Sequence, residues 1–140
     1  MELVEVRRLA DGQGIFSRMP ILSGGLIGIF DGQVEMFTIQ HDGSIDWMDR
    51  DSSMSIHLII ENYQLYALMP LEGHPIGGID FINHSCTPNC IVSTQGLVVR
   101  ASRDIEYGEH LTIDYRPMDL IKLGRLCWCS HVPDTQRCVL

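Results

Sequence analysis

The sequence predicts a mainly β domain followed by a short cysteine-rich tail. Short runs rich in Val, Ile, Leu, Phe and Tyr recur between glycine or Asp-Gly breaks, which is typical of strands bounded by turns. Few windows show the sustained period of an amphipathic helix. The longest apolar stretches, such as residues 26–30, are strand-sized and contain or border a glycine. After Tyr115 the chain changes character and becomes cysteine-bearing.

The strand pattern recurs along the whole domain. β-Branched and aromatic residues favour strands because they pack well on a half-buried pleated surface. Strands are therefore predicted, in chain order, at residues 3–8, 14–17, 26–30, 35–40, 56–60, 65–69, 91–94, 97–102 and 111–113. Asp42-Gly43 and Thr94-Gln95-Gly96 are predicted hairpin turns, since glycine adopts the positive φ that tight turns need.

Residues 41–55 interrupt this pattern. They are polar, rich in Asp and Ser, and carry Trp47 and Met48. This composition predicts an excursion from the sheet. The excursion lies beside a binding groove, or it is a surface loop with one buried aromatic anchor.

Length and composition place the chain among single-domain soluble proteins. A chain of 140 residues can bury one hydrophobic core but leaves no room for a second catalytic domain. The hydrophobic fraction of 45% and the charged fraction of 20% exclude a disordered or fibrous class. Charges interrupt the apolar start, so no secretory signal is expected, and no apolar run approaches membrane-spanning length. An intracellular, soluble protein without membrane contact is expected.

The net charge of −8 is concentrated in one central third of the chain. Residues 31–80 hold nine acidic side chains and a single basic one, Arg50, whereas the remainder balances at nine and nine. Such a segment is either a solvated surface or a dock for a basic peptide, because a cleft of one sign steers and holds an oppositely charged partner. The same charge disfavours direct nucleic-acid binding.

Two polar motifs carry the functional signal. Residues 78–90 read Gly-Ile-Asp-Phe-Ile-Asn-His-Ser-Cys-Thr-Pro-Asn-Cys, and residues 108–115 read Gly-Glu-His-Leu-Thr-Ile-Asp-Tyr. Alone, the first is compatible with a polar loop and the second with an edge strand. In this order and spacing, and followed by a cysteine cluster, they resemble the two signature motifs of the SET-domain protein lysine methyltransferases. Residues 12–16 and 101–109 extend the resemblance over nearly the whole chain.

This resemblance implies a knot-like fold of several small β-sheets, with a SET domain at residues 1–116 and a post-SET zinc-binding tail at residues 117–140. Residues 111–115 would pass beside the Asn83-His84 loop. The implied activity is transfer of the methyl group of S-adenosylmethionine to a lysine amine of a basic protein or peptide, with a histone tail as the expected substrate.

No cysteine-rich region precedes the domain, which suggests a minimal stand-alone enzyme. A homodimer is left open, and the compartment would be the nucleus in a eukaryote, or the cytoplasm or a secreted effector in a bacterium.

The resemblance also implies roles for individual residues. Tyr115 matches the catalytic tyrosine, although a core tyrosine ending a strand is the alternative, and Asp114 is expected to be structural. The residues implied in cofactor binding are Gly12, Gln13, Gly14, Ile15, Phe16, Asn83, His84, Tyr115 and Trp128. The Asn83 amide suits the methionine amino group and the His84 backbone suits the adenine edge. The two glycines allow the backbone to approach the cofactor carboxylate closely, or they form a tight turn. Trp128 would cover the adenine or pack on the domain.

The five cysteines point to metal binding or buried thiols, because an intracellular setting makes structural disulfides improbable. Cys127, Cys129 and Cys138 offer three thiolates, and a tetrahedral zinc site needs a fourth ligand. The post-SET resemblance implies Cys86 as that ligand, giving a closed structural zinc site. His131 and Cys90 are rival ligands, and Cys90 also fits a small buried hydrophobe.

Three positions depart from the family pattern. Phe30 stands where a Tyr-x-Gly tyrosine is expected, Asp80 stands where many members have Arg, and Arg116 follows Tyr115 where many have an aromatic residue. The number of methyl groups transferred is therefore unreadable. Phe30 and Asp80 motivate the alternative of a catalytically weak SET domain that binds a peptide or partner, and a zinc-stabilised β protein without cofactor is a third hypothesis.

Overall fold

A computed structural model describes residues 2–10, 12–50, 55–70, 78–93 and 97–118. Within them the chain forms β-strands and two 3-10 helices, at Gly78–Phe81 and Arg116–Met118. The strands are β1 (Val4–Leu9), β2 (Gly12–Ser17), β3 (Leu26–Ile29), β4 (Gln33–Ile39), β5 (Ile45–Asp46), β6 (Ile56–Glu61), β7 (Gln64–Met69), β8 (Asn83–His84), β9 (Cys90–Ser93), β10 (Val98–Ala101) and β11 (His110–Ile113). This part of the chain has no helix with the length and hydropathy of a membrane span.

The strands form three small sheets, which confirms the prediction of a mainly β fold. Their strand orders are β1-β2-β11-β8, β3-β10-β9 and β5-β4-β7-β6. Neighbouring strands run antiparallel except β11 and β8, which are parallel. Each predicted strand has a counterpart within two residues of its expected ends. The strands β5 and β8 were not predicted, because two residues are too few to show an alternating pattern.

The core is divided between two clusters of buried side chains. The larger cluster draws mainly on the first two sheets and includes Ile56 of the third; its most deeply buried members include Ile15, Val99, Leu111 and Ile113. Burial of such apolar side chains is the main favourable contribution to folding. The smaller cluster lies on the third sheet around Phe37, Leu65, Ala67 and Met69.

The polar excursion is tied to the smaller cluster. The Trp47 ring packs 4.9 Å from the Phe37 ring, so Trp47 is a partly buried anchor. The turn predicted at Asp42-Gly43 is present, with Gly43 at φ 85° and its N–H donating to the Gln40 carbonyl. The described part of the excursion, residues 41–50 and Ser55, thus fits a surface loop with one aromatic anchor. The turn predicted at residues 94–96 lies outside the described residues.

Pairing of β8 with β11 brings the two sequence motifs together. Thr112 lies opposite Asn83 and Ile113 lies opposite His84 in the parallel register. The Ser85 N–H then donates to the Ile113 carbonyl at 2.9 Å. β11 thus lies between β2 and β8 and pairs with β8 in parallel over two residues. This arrangement agrees with the knot-like fold that the family resemblance implies.

Asn89 also stabilises this junction, because its side chain bonds the backbone of β11. Its side chain is buried, its Nδ2 donates to the His110 carbonyl at 2.9 Å, and its Oδ1 accepts from the Thr112 N–H at 2.9 Å. The carboxamide therefore replaces the neighbouring strand that β11 lacks at this point. Without it, the half-buried His110 carbonyl and Thr112 N–H would lose this partner.

We expect Asn89→Ala to lower the free energy of unfolding by about 2 kcal/mol, because it leaves a half-buried N–H and a half-buried C=O without this partner. Urea denaturation measures the change. Gln40→Ala, at an exposed position, is the control and should change stability by less than about 0.5 kcal/mol. Equal urea midpoints for Asn89→Ala and the wild type would show that Asn89 does not hold the junction.

Candidate active site

The junction of β2, β11 and β8 gathers most of the predicted site residues that the structure describes. The segment Gly12 to Phe16 forms most of β2, and Asn83 and His84 form β8. Asn83 Nδ2 donates to the Gln13 carbonyl at 2.8 Å. Tyr115 lies two residues after the end of β11 and beside His84, with their ring centroids 5.3 Å apart. Residues distant in sequence thus form one compact polar site.

The members of β2 contribute to this site in different ways. Ile15 is completely buried in the larger core cluster, so its side chain belongs to the core. Gln13 contributes its backbone carbonyl to Asn83. The Phe16 ring is stacked on the His110 ring at 4.8 Å, and the Arg7 guanidinium lies 4.5 Å from its centroid.

The two glycines of β2 serve different needs. Gly12 has φ 133° with nothing near an added Cβ, so its conformation alone favours glycine. At Gly14 an added Cβ would lie 2.6 Å from His110 Nε2 and 2.9 Å from Asn83 Nδ2. Gly14 therefore has no room for a side chain beside His110 and Asn83, whereas the approach of this backbone to the cofactor carboxylate stays a prediction.

Tyr115 is held at both ends. Its hydroxyl donates to the Ile82 carbonyl, and its backbone N–H donates to His84 Nδ1 at 3.0 Å. Because an N–H can only donate, Nδ1 is unprotonated and a neutral His84 carries its proton on Nε2. Burial lowers the pKa of His84; the Asp114 carboxylate opposes this shift and the Arg116 charge adds to it. A neutral imidazole thus fixes the tyrosine backbone while a carbonyl orients its hydroxyl.

Comparison with known families identifies the fold. The family model described as the SET domain matches residues 12–116, three quarters of the chain and the whole of this junction. The chain belongs to the SET-domain family.

Curated relatives of this SET domain are named as histone-lysine methyltransferases. It is 48% identical over 54 residues to the histone-lysine N-methyltransferase, H3 lysine-4 specific, of Schizosaccharomyces pombe, covering 34% of this chain and 6% of the relative. It is 55% identical over 42 residues to the human histone-lysine N-methyltransferase SMYD3, covering 29% and 10%. An alignment of 142 residues with histone-lysine N-methyltransferase ATXR7 of Arabidopsis thaliana is 30% identical and covers 84% and 10%. The chain spans 10% or less of the length of these three relatives.

Asp114 is structural in this SET domain. Its carboxylate accepts hydrogen bonds from the Arg116 backbone and guanidinium at 2.9 Å. Burial would raise the pKa of Asp114, but the hydrogen bonds and charge of Arg116 outweigh burial and hold the pKa below its usual value. An ionised carboxylate that is already paired with a guanidinium is a poor general base, and its effect here is to fix the start of the Arg116–Met118 helix.

Of the predicted zinc ligands, the structure describes only Cys86. Cys86 is partly exposed, and its Sγ lies 3.6 Å from His84 Nε2. Among residues 2–10, 12–50, 55–70, 78–93 and 97–118, no group of three or more His, Cys, Asp or Glu side chains could hold a metal. Cys127, Cys129, Cys138, Trp128 and the rival ligand His131 lie outside the described residues.

The second rival ligand, Cys90, does not fit a metal site. It is 2% exposed within the larger core cluster, and burial raises the pKa of its thiol to about 11. Metal ligation needs the thiolate. Cys90 is therefore a small buried hydrophobe, the alternative that its position in the sequence had left open.

Sequence reasoning did not single out two groups of this site, the His110 imidazole and the Ile82 carbonyl. His110 occurs within the second motif, but no spacing rule relates residue 110 to residue 83. Their proximity follows from the β2-β11-β8 strand order, which brings His110 Nε2 to 3.4 Å from Asn83 Nδ2. Ile82 contributes only its backbone carbonyl, which the identity of the side chain does not reveal.

The positions that depart from the family pattern lie in different environments. Phe30 is 8% exposed and belongs to the larger core cluster. Asp80 is half-buried in the helix Gly78–Phe81. Arg116 is an ion-pair partner of Asp114. Phe30 is therefore a packing residue of the core.

Proposed function

We propose that this SET domain is an S-adenosylmethionine-dependent protein-lysine N-methyltransferase. The observation that carries the proposal is the convergence of Gly14, Asn83 and Tyr115 at one junction of a domain whose relatives bear lysine methyltransferase names. Each residue matches a different requirement of the reaction: approach of the cofactor to the backbone, recognition of its amino group, and alignment of the lysine.

The reaction needs alignment and an uncharged amine. S-adenosylmethionine, when bound, supplies a methyl group on a sulfonium sulfur. The lysine nitrogen lone pair forms the new C–N bond while the C–S bond breaks and its electrons neutralise the sulfonium. Holding nitrogen and carbon in near-attack geometry contributes several kcal/mol. Loss of the lysine proton is favoured where the ammonium is desolvated, because an apolar channel penalises the charged form.

Tyr115 is the proposed catalytic residue. Its hydroxyl proton is directed at the Ile82 carbonyl, and a lone pair of the hydroxyl oxygen would accept from the lysine amine. The Tyr115 hydroxyl and the Ile82 carbonyl together would orient the lysine amine so that its lone pair points at the methyl carbon. His84 supports this arrangement because it holds the Tyr115 backbone.

The proposed cofactor contacts come from β2 and β8. The Asn83 amide oxygen would accept from the amino group of the methionine part, and the His84 backbone would contact the adenine edge. The backbone from Gly12 to Phe16 would line the methionine part. Trp128 of the tail would cover the adenine.

A basic protein is the proposed substrate class, with histone tails the first candidates because the relatives are named for histones. The charge of the central third supports this choice. Its single basic side chain, Arg50, is paired with Glu35 and also donates to the Pro70 carbonyl. Carboxylates remain exposed in this region at Asp31, Asp42, Asp46, Asp49 and Glu61. An acidic surface of this kind attracts lysine-rich segments.

Transfer of a labelled methyl group from S-adenosylmethionine to core histones, a ribosomal protein fraction and a lysine-blocked control tests the proposal. We expect label on at least one basic protein and none after the lysines are blocked. The alternative of a peptide-binding module predicts cofactor binding without label on any protein. Label that persists after lysine blocking would exclude lysine as the acceptor.

We further propose that the tail binds a structural zinc ion through Cys86, Cys127, Cys129 and Cys138 and thereby presents Trp128 to the cofactor.

Cys127→Ser should remove the metal, which native mass spectrometry detects. It should also weaken S-adenosylmethionine binding by about tenfold or more, a loss of about 1.4 kcal/mol, while the free energy of unfolding of the main domain changes less. Cys90→Ala, which alters a core cysteine, is the control and should retain zinc. Retention of both zinc and wild-type cofactor affinity in Cys127→Ser would contradict this role of the tail.

A further inference from the structure

The Asn83 carboxamide has a defined orientation. The Gln13 carbonyl, 2.8 Å away, can only accept a hydrogen bond, so the atom that faces it must be Nδ2. The same Nδ2 lies 3.4 Å from His110 Nε2. Its two hydrogens therefore meet two acceptors, and Oδ1 accepts no hydrogen bond from the described residues. The carboxamide presents this free acceptor to any ligand at the junction.

His110 is the second of these acceptors. It lies opposite Phe16 in the β11–β2 register, and its ring stacks on the Phe16 ring at 4.8 Å. Its Nε2 lies only 2.6 Å from the place that a Cβ on Gly14 would occupy. Because Nε2 faces an amide NH₂, it acts as the acceptor, and the imidazole is neutral with its proton on Nδ1. Burial lowers the pKa of His110, which favours this neutral form.

We propose that His110 is a positioning residue for cofactor binding: its unprotonated Nε2 fixes the Asn83 carboxamide with Oδ1 directed at the ammonium group of the S-adenosyl ligand, and its protonation weakens binding. This inference rests on the proposed function, since it assigns the cofactor amino group to Asn83. It adds to the site a residue that touches Asn83, Gly14 and Phe16 at once.

Protonation would affect binding in two ways. A hydrogen on Nε2 would face the hydrogens of Asn83 Nδ2, and rotation of the amide to relieve this conflict would break the bond to the Gln13 carbonyl. It would also add a positive charge beside a cationic ligand group. The site becomes unfavourable to an ammonium on both counts.

The charged groups around His110 do not cancel this effect. On β1, Arg7 lies over the Phe16 ring and is paired with Glu5. Next to His110, Glu109 is paired with Arg103. His84 on β8 lies against Tyr115, and the Asn89 side chain that binds the His110 backbone is neutral.

Calorimetric titration of S-adenosylhomocysteine from about pH 8 to about pH 5 tests the inference, because this range spans histidine protonation. The wild type should bind with a constant Kd at high pH and then weaken by about tenfold for each pH unit below the pKa of His110. His110→Gln should bind with little pH dependence, since its Oε1 can accept from Asn83 without titrating. His41→Gln, at an exposed turn, should follow the wild type. Methylthioadenosine, which lacks the amino acid part, should bind the wild type with little pH dependence.

The outcomes separate this inference from the proposed function. The same weakening in His110→Gln, or with methylthioadenosine, would overturn it. If His110→Gln does not fold, nitrogen NMR of the wild-type imidazole decides: a proton on Nδ1 at neutral pH supports the role, and a proton on Nε2 contradicts it. Failure of every S-adenosyl ligand to bind at any pH would overturn the proposed function and this inference with it.

Discussion

Tyr115→Phe is expected to reduce methyl transfer by about 100-fold or more, because removal of one oriented polar group from a reacting centre has effects of that size. The affinity for S-adenosylmethionine should stay near that of the wild type, since the ring and the backbone bond to His84 remain. Turnover with a labelled methyl donor and calorimetry with the same cofactor measure the two quantities.

Tyr107→Phe is the matched control for this substitution. Tyr107 is 71% exposed and precedes β11, so its change should leave turnover unaltered. The loss of the Tyr115 hydroxyl also leaves the Ile82 carbonyl without that partner, at a cost of about 1 kcal/mol in stability. Wild-type turnover in Tyr115→Phe would remove Tyr115 from the catalytic role and favour the interpretation of a tyrosine that only ends a strand.

Gly14→Ala is expected to abolish cofactor binding at ordinary concentrations and to lower the free energy of unfolding by about 1–3 kcal/mol. The added Cβ would lie within 3.0 Å of His110 Nε2 and Asn83 Nδ2, so both side chains would have to move. These are the groups proposed to receive the cofactor amino group. Calorimetry with S-adenosylmethionine measures the first effect, and urea denaturation measures the second.

Gly78→Ala provides the comparison. Its added Cβ would come no closer than 3.6 Å to Val4 Cγ2, an ordinary van der Waals contact, and its φ is not in the left-handed region. This variant should keep cofactor affinity. If Gly14→Ala bound the cofactor as tightly as Gly78→Ala does, the close approach at β2 would not be part of the cofactor site.

The strands could be predicted from the sequence where side-chain chemistry alternates over several residues. β7, with Leu65, Ala67 and Met69 buried and their neighbours less so, shows the period of two that marks a strand with one covered face. β8 could not be found in this way. It has only Asn83 and His84, and it is a strand because β11 pairs with it.

The residues of the candidate site that lie in the two sequence motifs and match the family pattern could be predicted. The resemblance pointed to Asn83, His84 and Tyr115, and the structure brings these three residues together. The contribution of His110 could not be read, because it depends on which strand lies between β2 and β8, a property of the tertiary topology. The Ile82 carbonyl was unpredictable for a related reason, since any residue at that position supplies the same acceptor.

We propose that the cofactor binds where β2, β11 and β8 meet. Titration of the nitrogen-labelled protein with S-adenosylhomocysteine, followed by amide NMR, tests it most directly. We predict saturable shifts at Gly14, Asn83 and Tyr115, with the strands β4, β6 and β7 of the third sheet unaffected. Shifts confined to the third sheet, or no shifts at millimolar ligand, would contradict this assignment of the site.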